Sequence, residues 1–482
     1  MKLRDLLNGI QITSVHADGD MEVRGVSYDS QTTAPGDLFV AVSGTVTDGS
    51  QFISQALAKG AVCAVCERPP AQNIPHVVVP SARRALALIS CNYFDHPARE
   101  MTLVGITGTN GKTTASWLIK HILEQKAGAK VGLIGTVENM VGQRALPTER
   151  TTPESYELQR LLRQMADAGC SHVVMEVSSH ALALDRVYGI RFAVSLFTNL
   201  TQDHLDFHGT MERYCAAKAR LMRSCDVAVY NADDPWAQQI MQGSTCRRFS
   251  YGVHHAADLQ ACGVAQGHDG VDYTALSVWE KQAVHCAIPG SFSVCNSLSA
   301  MAVCWNLGVS LSDCAQVLGQ DCGAPGRMER IPTPGKPYTV LIDYAHTPDA
   351  LENVLLAVRG FARGRTVAVF GCGGDRDRTK RPLMGAAAAR YADVAVVTTD
   401  NPRTEEPAAI IRQILQGMET AKTPPVVVEN RIEAIHWALD HAQTDDVIVL
   451  CGKGHETYQE VGHEKYHLDE REVVADCLTR NP

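Results

Sequence analysis

The sequence predicts an α/β protein with three domains: a small N-terminal domain, a central P-loop domain on a parallel sheet, and a Rossmann-like C-terminal domain. Three observations predict this fold. Strand-like apolar runs alternate with helix-like stretches along most of the 482 residues, which is typical of parallel sheets covered by helices. A glycine-rich turn follows one such strand and opens a helix near residue 112. A proline-rich segment at residues 331–337 can continue neither a helix nor a central strand.

The N-terminal domain is expected over residues 1–88, the central domain over 89–330 and the C-terminal domain over 331–482. In the first domain, strand-like runs cover residues 23–28, 37–42, 61–65 and 76–79, and helix-like runs cover 51–59 and 82–93. The segment Asp29–Gly49 surrounds one apolar strand with turn residues, a pattern that a plain hairpin also explains.

Composition limits the possible partners. A net charge of −9 argues against bulk nucleic-acid binding, which needs a basic face. The 16 cysteines are dispersed, and Cys63 and Cys66 form a C-x-x-C without a second pair, so free thiols in a reducing cytosol are expected. Neither a signal peptide nor a run of about 18 apolar residues is found. We expect a cytoplasmic monomer with no membrane span.

The central feature is the stretch TLVGITGTNGKTT, in which the strand Thr102–Ile106 leads into a glycine-rich turn. Its backbone N–H groups and helix N-terminus would bind a phosphate, while Lys112 neutralises charge and Thr113 ligates Mg²⁺. Ile106 stands where the strict P-loop pattern has glycine, so this is a variant, and a simple glycine turn is the alternative. The predicted phosphate-binding residues are Gly108, Thr109, Asn110, Gly111, Lys112, Thr113 and Thr114.

Three polar clusters follow strands of the central domain, which are expected at residues 130–134, 172–177, 194–198 and 227–230. Ligands of parallel sheets gather at such carboxyl ends. The turn at 150–153 opens a helix over 154–168 and suits a phosphate or carboxylate, although it also reads as a capping turn. Glu176 ends a buried strand and is placed to bind Mg²⁺. His204 lies among Asp203, Asp206 and His208, which by residue type indicates zinc or a structural loop.

The C-terminal domain alternates regularly. Strands are expected at 338–342, 366–370, 394–398, 425–428 and 447–450, with helices at 348–362, 382–391, 407–418 and 431–442. No G-x-G-x-x-G follows a strand, which disfavours dinucleotide binding. Polar motifs follow the strands instead: DYAH, GCGGDRDRTKRP, TDNPRTEEP and GKGHE.

These motifs carry a resemblance. GITGTNGKTT resembles the ATP loop of the Mur ligases and of folylpolyglutamate synthetase. EVSSH, the run Asn199–Lys218, DYAHTPDAL and DNPR resemble the Mur ligases that add the third residue of a peptide. In the first domain, the GDLFVA run resembles the uridine-nucleotide domain of those enzymes. Gln31, Thr45, Leu184 and Ser293 depart from the family pattern.

The resemblance implies roles for individual residues. Glu176, His204 and Lys218 would act with Lys112 in catalysis, with Lys218 carbamylated by CO2 and joining Thr113, Glu176 and His204 as a metal ligand. ATP would also meet Asn296, Arg327, Asp343 and His346. The uridine-nucleotide substrate would meet Ser30, Arg150, Thr151, Thr152, Ser178 and Arg186. Diaminopimelate would meet Arg376, Asp400, Asn401, Pro402, Arg403, Gly452 and Glu456.

The implied activity is ATP- and Mg²⁺-dependent ligation of meso-diaminopimelate to UDP-N-acetylmuramoyl-L-alanyl-D-glutamate through an acyl phosphate, in cytoplasmic peptidoglycan precursor synthesis. Three domains around one site would close on binding. Two alternatives remain open at this point. One is a ligase like folylpolyglutamate synthetase, and the other is a nucleotide-binding regulator without turnover, which only Leu184 and Ser293 favour.

Overall fold

The computed structural model describes residues 1–44, 48–148, 150–267, 269–320, 323–419, 421 and 423–480. Thr45, singled out by the sequence pattern, lies outside these residues. The chain divides into two compact units. The first contains Met1–Asp258 and Ser299–Ser310, and the second contains Leu259–Leu298 and Leu311–Pro482. The three-domain division at residues 88 and 330 stays a prediction.

The first unit begins with a five-stranded sheet in the order β1-β5-β4-β3-β2, in which only β1 is antiparallel to its neighbour. Its strands are β1 (Ser14–His16), β2 (Gly25–Ser27), β3 (Asp37–Val40), β4 (Cys63–Cys66) and β5 (His76–Val78). Its helices are α1 (Leu3–Leu6), α2 (Ile53–Ala58) and α3 (Ala82–Tyr93). The Ser81 hydroxyl accepts a hydrogen bond from the backbone N–H of Arg84 and so caps α3. One face of α3 packs with the strands into a single apolar core.

A second sheet in this unit carries the phosphate loop. Its strands are β6 (Thr102–Thr107), β7 (Val131–Ile134), β8 (Asn139–Val141), β9 (Arg144–Leu146), β10 (His172–Glu176), β11 (Phe192–Phe197), β12 (Cys225–Asn231) and β13 (Arg247–Gly252). Within the unit the order is β13-β12-β11-β6-β10-β7-β8-β9. The six strands from β13 to β7 are parallel, and β8 and β9 add an antiparallel hairpin. The loop-bearing strand β6 therefore lies between β10 and β11.

Helices cover this sheet, which explains why its central strands are almost continuously apolar. They are α4 (Lys112–Lys126), α5 (Ser155–Asp167), α6 (Ser179–Ala183), α7 (Leu205–His208), α8 (Met211–Ala219) and α9 (Ala237–Ile240). Short 3-10 turns lie at Gly49–Phe52, Pro97–Arg99 and Leu221–Arg223. The core beneath α5 joins Leu158 and Leu162 to Val173 and Met175 of β10.

The second unit starts with three antiparallel strands, β14 (Leu259–Gly267), β15 (Gly270–Ser277) and β16 (Lys281–Cys286). The helix α10 (Phe292–Asn306) is divided between the two units, and α11 (Leu311–Leu318) belongs to the second. The sequence analysis did not predict β14–β16. The second half of β14, residues 263–267, is mostly exposed and contains two glycines, so it lacks the alternating apolar pattern by which a strand is recognised.

A six-stranded sheet forms the rest of the second unit, in the order β17-β18-β22-β19-β20-β21. Its strands are β17 (Glu329–Ile331), β18 (Thr339–Asp343), β19 (Thr366–Phe370), β20 (Val394–Val397), β21 (Val426–Val427) and β22 (Val447–Cys451). Its helices are α12 (Pro348–Arg359), α13 (Lys380–Tyr391), α14 (Pro407–Leu415), α15 (Arg431–Asp440) and α16 (Glu470–Arg480). All strands are parallel except the edge strand β17. A separate hairpin pairs β23 (Tyr458–Val461) with β24 (Glu464–His467).

The predicted α/β class and the largely parallel sheets are confirmed. The bounds of α3 and β19 agree with the prediction residue for residue. The predicted strands of the central sheet are parallel, and the antiparallel hairpin β8–β9 adds two edge strands that the sequence analysis did not predict. None of the helices in the described part of the chain is long and apolar enough to cross a membrane.

Candidate functional site

The phosphate loop connects β6 to α4, and two of its glycines are required by geometry. Gly111 has φ 85° at the N-cap position of α4, a conformation that favours glycine. A Cβ at Gly108 would lie 1.9 Å from the hydroxyl oxygen of Thr198, so a side chain there would collide with the residue after β11. The two glycines therefore let the loop backbone turn tightly into the start of α4, where its N–H groups can bind an anion.

The Lys112 ammonium folds back over this loop. Its Nζ donates hydrogen bonds to the carbonyl oxygens of Gly108, at 2.9 Å, and Thr109, at 2.8 Å. The cation is thus held where the loop curves. Thr113 and Thr114 follow it on the buried side of the first helical turn.

The segment after β11 shapes the loop from the neighbouring strand, a role that the sequence analysis did not predict. The Thr198 hydroxyl donates to the carbonyl oxygen of Asn110 at 2.7 Å. The Asn199 side chain accepts from the N–H of Asn110 at 2.9 Å, and its own carbonyl accepts from Thr109 at 2.9 Å. Both residues directly follow a central strand, and this position could have identified them as part of the site.

Glu176 ends β10, on the other side of β6, and only 1% of it is exposed. Its carboxylate accepts from the N–H of Thr136 at 3.0 Å and from the Thr136 hydroxyl at 3.0 Å. A Cβ at Gly135 would lie 2.6 Å from this carboxylate, so glycine gives it room. Thr136 holds the carboxylate at the carboxyl end of the sheet, a contact that the sequence analysis missed.

The predicted substrate turn lies beside Glu176. The Thr152 hydroxyl donates to the carbonyl oxygen of Glu176 at 2.9 Å and accepts from the N–H of Ser178 at 3.0 Å. The Thr151 hydroxyl lies 3.1 Å from the Thr136 hydroxyl. Arg186 donates to the carbonyl of Thr152 at 3.0 Å. The structure thus brings Thr151, Thr152, Ser178 and Arg186 together around the end of β10.

Two other predicted substrate contacts are arranged differently. Arg150 is largely exposed and lies 3.3 Å from the carboxylate of Glu154, which also lies 2.6 Å from Arg186. Ser30 is buried in the N-terminal sheet region, where its hydroxyl donates to the Gln55 side chain at 3.0 Å. That hydroxyl has a protein partner in this structure, and its predicted substrate contact stays a prediction.

Lys218 is buried under the phosphate loop. Its Nζ donates to the carbonyl oxygen of Gly108 at 2.7 Å and lies 4.6 Å from the centre of the Tyr214 ring. Within the described part of the chain it forms no salt bridge. Burial lowers the pKa of Lys218 well below its ordinary value, and the positive charge of Lys112 lowers it further. The lowered pKa increases the fraction of the amine that is neutral and nucleophilic.

His204 occupies the N-cap position of α7 with φ 52° and lies 3.4 Å from the Asp203 carboxylate. Its ring contacts that of His180 at 4.8 Å between centroids and that of Tyr214 at 6.2 Å. Burial lowers the pKa of His204, and this effect outweighs the charge of Asp203, which raises it. The lowered pKa favours the neutral imidazole, the form that can bind a metal. Unlike His204, His208 is committed to the protein, since its Nε2 lies 2.9 Å from the Ser179 hydroxyl.

Among the described residues, no three His, Cys, Asp or Glu side chains come close enough to hold a metal ion. The predicted metal set instead combines a threonine hydroxyl, one carboxylate, one imidazole and a lysine. Oxygen ligands suit Mg²⁺, and a carbamate on a neutral buried lysine would add two more oxygens. The hydroxyl of Thr113 and the carboxylate of Glu176 are chemically compatible with Mg²⁺, which binds few protein ligands and keeps several waters.

The predicted nucleotide contacts of the second unit surround the turn that precedes β17. Asp343 is buried, and its carboxylate accepts from the N–H groups of Met328 at 2.9 Å and Ala345 at 2.8 Å. The Arg327 guanidinium lies 4.9 Å from the centre of the Tyr344 ring, and its buried Nε has no hydrogen-bond partner among the residues that the structure describes. The Nδ1–H of His346 donates to the carbonyl oxygen of Tyr344 at 2.8 Å. Asp343 therefore shapes the turn.

The same turn touches the loop after β22. Gly326 has φ 67°, and a Cβ there would lie 2.2 Å from the carbonyl carbon of Gly454. The Arg471 side chain links both segments, since it donates to the Glu329 carboxylate at 2.8 Å and to the carbonyl of Gly454 at 3.4 Å. Asn296, the remaining predicted nucleotide contact, lies on α10 and is buried.

The predicted amino-acid pocket is built around a buried lysine that the sequence analysis did not assign. Lys453 is fully buried, and its Nζ donates to the Asn401 side chain at 2.9 Å. It also lies 3.5 Å from Asp400 and 3.4 Å from Glu456. Asn401 in turn donates to Glu456 at 2.9 Å. The position of Lys453 inside the GKGHE motif could have identified it in the sequence.

The charge of Asp400 is set by this surrounding. Burial would raise the pKa of Asp400, but the charges of Lys453 and then Arg431 outweigh it and lower the pKa. Asp400 is therefore a carboxylate at neutral pH. A Cβ at Gly452, which has φ 115°, would lie 2.7 Å from that carboxylate, so the motif glycine is required by close approach.

Arg403 and Arg376 extend from the adjoining loops. Arg403 donates from Nη1 to the carbonyl of Gly374 at 2.9 Å and from Nε to Glu460 at 2.9 Å. Arg376 is exposed. A Cβ at Gly373 would lie 3.1 Å from Nη1 of Arg403 and 3.8 Å from Cγ of Arg376, so both cationic side chains pass the same glycine. Pro402 is buried, and its carbonyl would meet a side chain at Gly374.

A buried arginine ties the two loops together. Arg381 is fully buried and donates from Nη2 to the Glu405 carboxylate at 2.8 Å and to the carbonyl of Gly373 at 3.2 Å. Glu405 also accepts from the N–H of Asp375 at 2.7 Å. The Arg381 hydrogen bonds lower the pKa of Glu405 to about 2. The loops that carry Arg376 and Arg403 are therefore one rigid surface.

Comparison with known families covers most of the chain. Residues 22–93 match the model of the Mur ligase family, catalytic domain, residues 106–304 match the Mur ligase middle domain, and residues 326–454 match the Mur ligase, glutamate ligase domain.

Curated relatives match over full length. A protein of Caldanaerobacter subterraneus subsp. tengcongensis is 43% identical over 484 residues, which is 100% of both chains. A protein of Geobacillus thermodenitrificans is 44% identical over 487 residues, covering 99% of each. Both are named UDP-N-acetylmuramoyl-L-alanyl-D-glutamate--2,6-diaminopimelate ligase.

Solved structures of Mur ligases are also similar to this chain. A UDP-N-acetylmuramoyl-L-alanyl-D-glutamate--2,6-diaminopimelate ligase matches with a TM-score of 0.74 and 30% identity, covering 100% of this chain and 99% of its own. Folylpolyglutamate synthase of Mycobacterium tuberculosis, at 16% identity and a TM-score of 0.64, covers 83% of this chain and 96% of its own and shares the fold alone. With relatives above 40% identity along its whole length, the chain belongs to the Mur ligase family of ATP-dependent, amide-bond-forming ligases.

Proposed function

We propose that this chain joins meso-2,6-diaminopimelate to UDP-N-acetylmuramoyl-L-alanyl-D-glutamate with cleavage of ATP, in peptidoglycan precursor synthesis in the cytoplasm. The observation that carries the proposal is the pocket in which Asp400, Asn401, Lys453 and Glu456 meet beside Arg403. The full-length similarity to ligases named for these two substrates supports it.

The reaction follows from the chemistry of the two substrates. The side-chain carboxylate of the D-glutamyl residue attacks the γ-phosphorus of ATP, and ADP leaves with the electron pair of the broken P–O bond. An amine of diaminopimelate then attacks the acyl carbon, phosphate leaves, and the amine loses a proton. No protein nucleophile is needed, so the protein acts by positioning and by neutralising charge.

Phosphate binding falls to the loop from Gly108 to Thr114. On nucleotide binding, the Lys112 ammonium would exchange its two loop carbonyls, now at 2.9 and 2.8 Å, for phosphate oxygens. The N-terminus of α4 adds its dipole to the same anion. In the second unit, Asn296, Arg327, Asp343 and His346 are proposed for the rest of the nucleotide.

Thr113, Glu176, His204 and carbamylated Lys218 would hold two Mg²⁺ ions, which when bound offset the negative charge of the triphosphate. Carbamylation is supported by the burial of Lys218 and by its lack of a salt bridge among the described residues. Its neutral amine attacks the carbon of CO2 and loses a proton, forming an N–C bond. The product replaces a buried cation by a carboxylate-like anion.

Substrate recognition divides between two groups of residues. Thr151, Thr152, Ser178 and Arg186 surround the end of β10 and, with Ser30 and Arg150, are proposed for the uridine-nucleotide substrate. Diaminopimelate carries a second carboxylate and ammonium at its far end, and Arg403 can pair with that carboxylate through two parallel hydrogen bonds. The neighbouring Arg376, Asp400, Asn401, Gly452 and Glu456 complete the proposed pocket.

An amino-acid competition experiment tests the proposal. Purified protein is given ATP, Mg²⁺ and UDP-N-acetylmuramoyl-L-alanyl-D-glutamate with diaminopimelate and lysine together, and ADP and peptide products are measured. We expect ADP release to require an amino acid, and the product to contain diaminopimelate. A lysine product would contradict the Arg403 assignment, and glutamate addition to folate without activity on the dipeptide would contradict the function. Binding of ATP without release of ADP would indicate a nucleotide-binding regulator. The relatives favour neither of these two alternatives.

A further inference from the structure

The guanidinium of Arg403 is held by a carboxylate of the hairpin β23–β24. Its Nε donates to Glu460 at 2.9 Å, while Nη1 donates to the carbonyl of Gly374 at 2.9 Å. The two side chains keep 21% and 27% of their surface exposed, so this pair lies at the rim of the pocket and remains reachable. Nη2 donates to no acceptor within the described residues.

The main chain repeats this link. The N–H of Arg403 donates to the carbonyl of Glu460 at 3.1 Å, and the N–H of Gly462 donates to the carbonyl of Arg403 at 2.8 Å. Arg403 adopts φ 50°, a left-handed conformation that is unfavourable for a residue with a Cβ. The hairpin therefore fixes both the backbone and the side chain of the same arginine. Neither contact is local in sequence.

We propose that Glu460 is a positioning residue that orients Arg403 for the distal carboxylate of the incoming diamino acid. The proposal rests on the proposed function and names a determinant of its specificity. With Nε and one N–H of Nη1 engaged, the edge formed by Nη1 and Nη2 is left to face a ligand, and that edge matches a carboxylate. The restraint removes rotamer freedom that binding would otherwise have to remove.

The opposite role is that of a competitor, in which Glu460 occupies the guanidinium in place of the substrate carboxylate. The contacts favour positioning, because Glu460 engages Nε at 2.9 Å and leaves Nη2 unengaged. The two roles predict opposite changes in diaminopimelate binding when Glu460 is removed. Removal of a positioning residue weakens binding of diaminopimelate, whereas removal of a competitor strengthens it.

The kinetic test compares Glu460→Ala with Glu460→Gln, whose amide oxygen can still accept from Nε. We expect the alanine variant to raise KM for diaminopimelate about 10-fold, as loss of a charged hydrogen bond does, with KM for ATP unchanged. The glutamine variant should recover most of that loss. Glu464→Gln is the matched control, because Glu464 lies on the same hairpin and contacts only the exposed Tyr466 hydroxyl among the described residues.

A double-mutant cycle with Arg403→Ala separates positioning from general damage. If Glu460 acts through Arg403, adding Glu460→Ala to Arg403→Ala changes KM for diaminopimelate no further. An unchanged or lowered KM in the single variant, an equal loss for ATP, or additive losses in the cycle would overturn the proposal. Absence of diaminopimelate ligation by the unmodified protein would instead reject the proposed function.

Discussion

The side-chain nitrogen of Lys218 lies 2.7 Å from the carbonyl oxygen of Gly108, so the helix α8 contacts the first glycine of the phosphate loop directly. The lysine is separated from that glycine by 110 residues in sequence, yet it is the group that supports the loop from below. Its low exposure and its lack of a salt bridge among the described residues make it chemically different from the lysines at the surface.

Lys218 should carry a carbamate. After equilibration with carbon-13 bicarbonate, NMR should show a carbamate resonance that is absent in Lys218→Arg. Because burial and Lys112 lower the pKa of Lys218, its unprotonated fraction at any given pH exceeds that of an exposed lysine, and the signal should persist to lower pH. Lys120→Arg is the control, since Lys120 is equally buried but paired with Glu124 at 2.8 Å. A resonance retained in Lys218→Arg would contradict the assignment.

Gly108→Ala should abolish nucleotide binding while leaving the rest of the unit folded. A Cβ at this position would lie 1.9 Å from the Thr198 hydroxyl oxygen, so the loop must move away from β11. Calorimetric titration with ATP and Mg²⁺ measures the loss, which we expect to exceed roughly 100-fold because binding groups displaced by about 1 Å lose that much. Gly128→Ala is a suitable comparison, because a Cβ there meets nothing within 4 Å, although its φ of 61° adds local strain. Unchanged affinity in Gly108→Ala would refute this account of the loop.

Arg403→Ala should weaken diaminopimelate much more than ATP. Loss of a bidentate charged pair costs about 2–3 kcal/mol, so kcat/KM for diaminopimelate should fall roughly 30- to 150-fold. Lysine, which lacks the distal carboxylate, should lose far less. Steady-state kinetics with each amino acid in turn provides the measurement. Arg412→Ala, on the helix α14, controls for loss of one positive charge from the same unit.

The stability of the second unit should fall in acid through Glu405. The pKa of this carboxyl is about 2 in the folded protein against an ordinary value of 4.5, so its stabilisation is complete above pH 4.5 and is lost as pH falls toward 2. Urea unfolding between pH 5 and 2.5 should therefore show a smaller acid dependence in Glu405→Gln. The exposed neighbour Glu406→Gln should retain the dependence of the unmodified protein.

The buried pair of Arg431 and Glu470 should respond asymmetrically to substitution. Both side chains are fully buried, 2.7 Å apart, so Arg431→Met leaves an unpaired carboxyl and should cost about 3–5 kcal/mol of unfolding free energy. Replacing both residues by methionine should recover most of that loss, because no buried charge is then left alone. Thermal unfolding of the three proteins measures both effects. A double variant no more stable than Arg431→Met would contradict this reading of the pair.

Features encoded by local sequence were predictable. The phosphate loop was located because glycine is needed where the backbone turns from β6 into α4, and the helix α3 because residues 82–93 form one contiguous helix-like run. Contacts between distant segments were not predictable. Thr136 binds Glu176 across 40 residues, and Lys453 binds Asn401 across 52. No periodic pattern reports such pairings, and the exposed half of β14, with its two glycines, likewise lacks the pattern of a strand.

The close approach of Gly326 to Gly454 has a consequence for how nucleotide binding and amino-acid binding affect each other. The turn proposed to touch the nucleotide and the loop proposed to touch the amino acid meet backbone to backbone, and Arg471 bridges them. Displacement of one segment must therefore displace the other. If occupancy of one site changes affinity at the other, the change is the same factor in both directions, because binding at two coupled sites is thermodynamically linked.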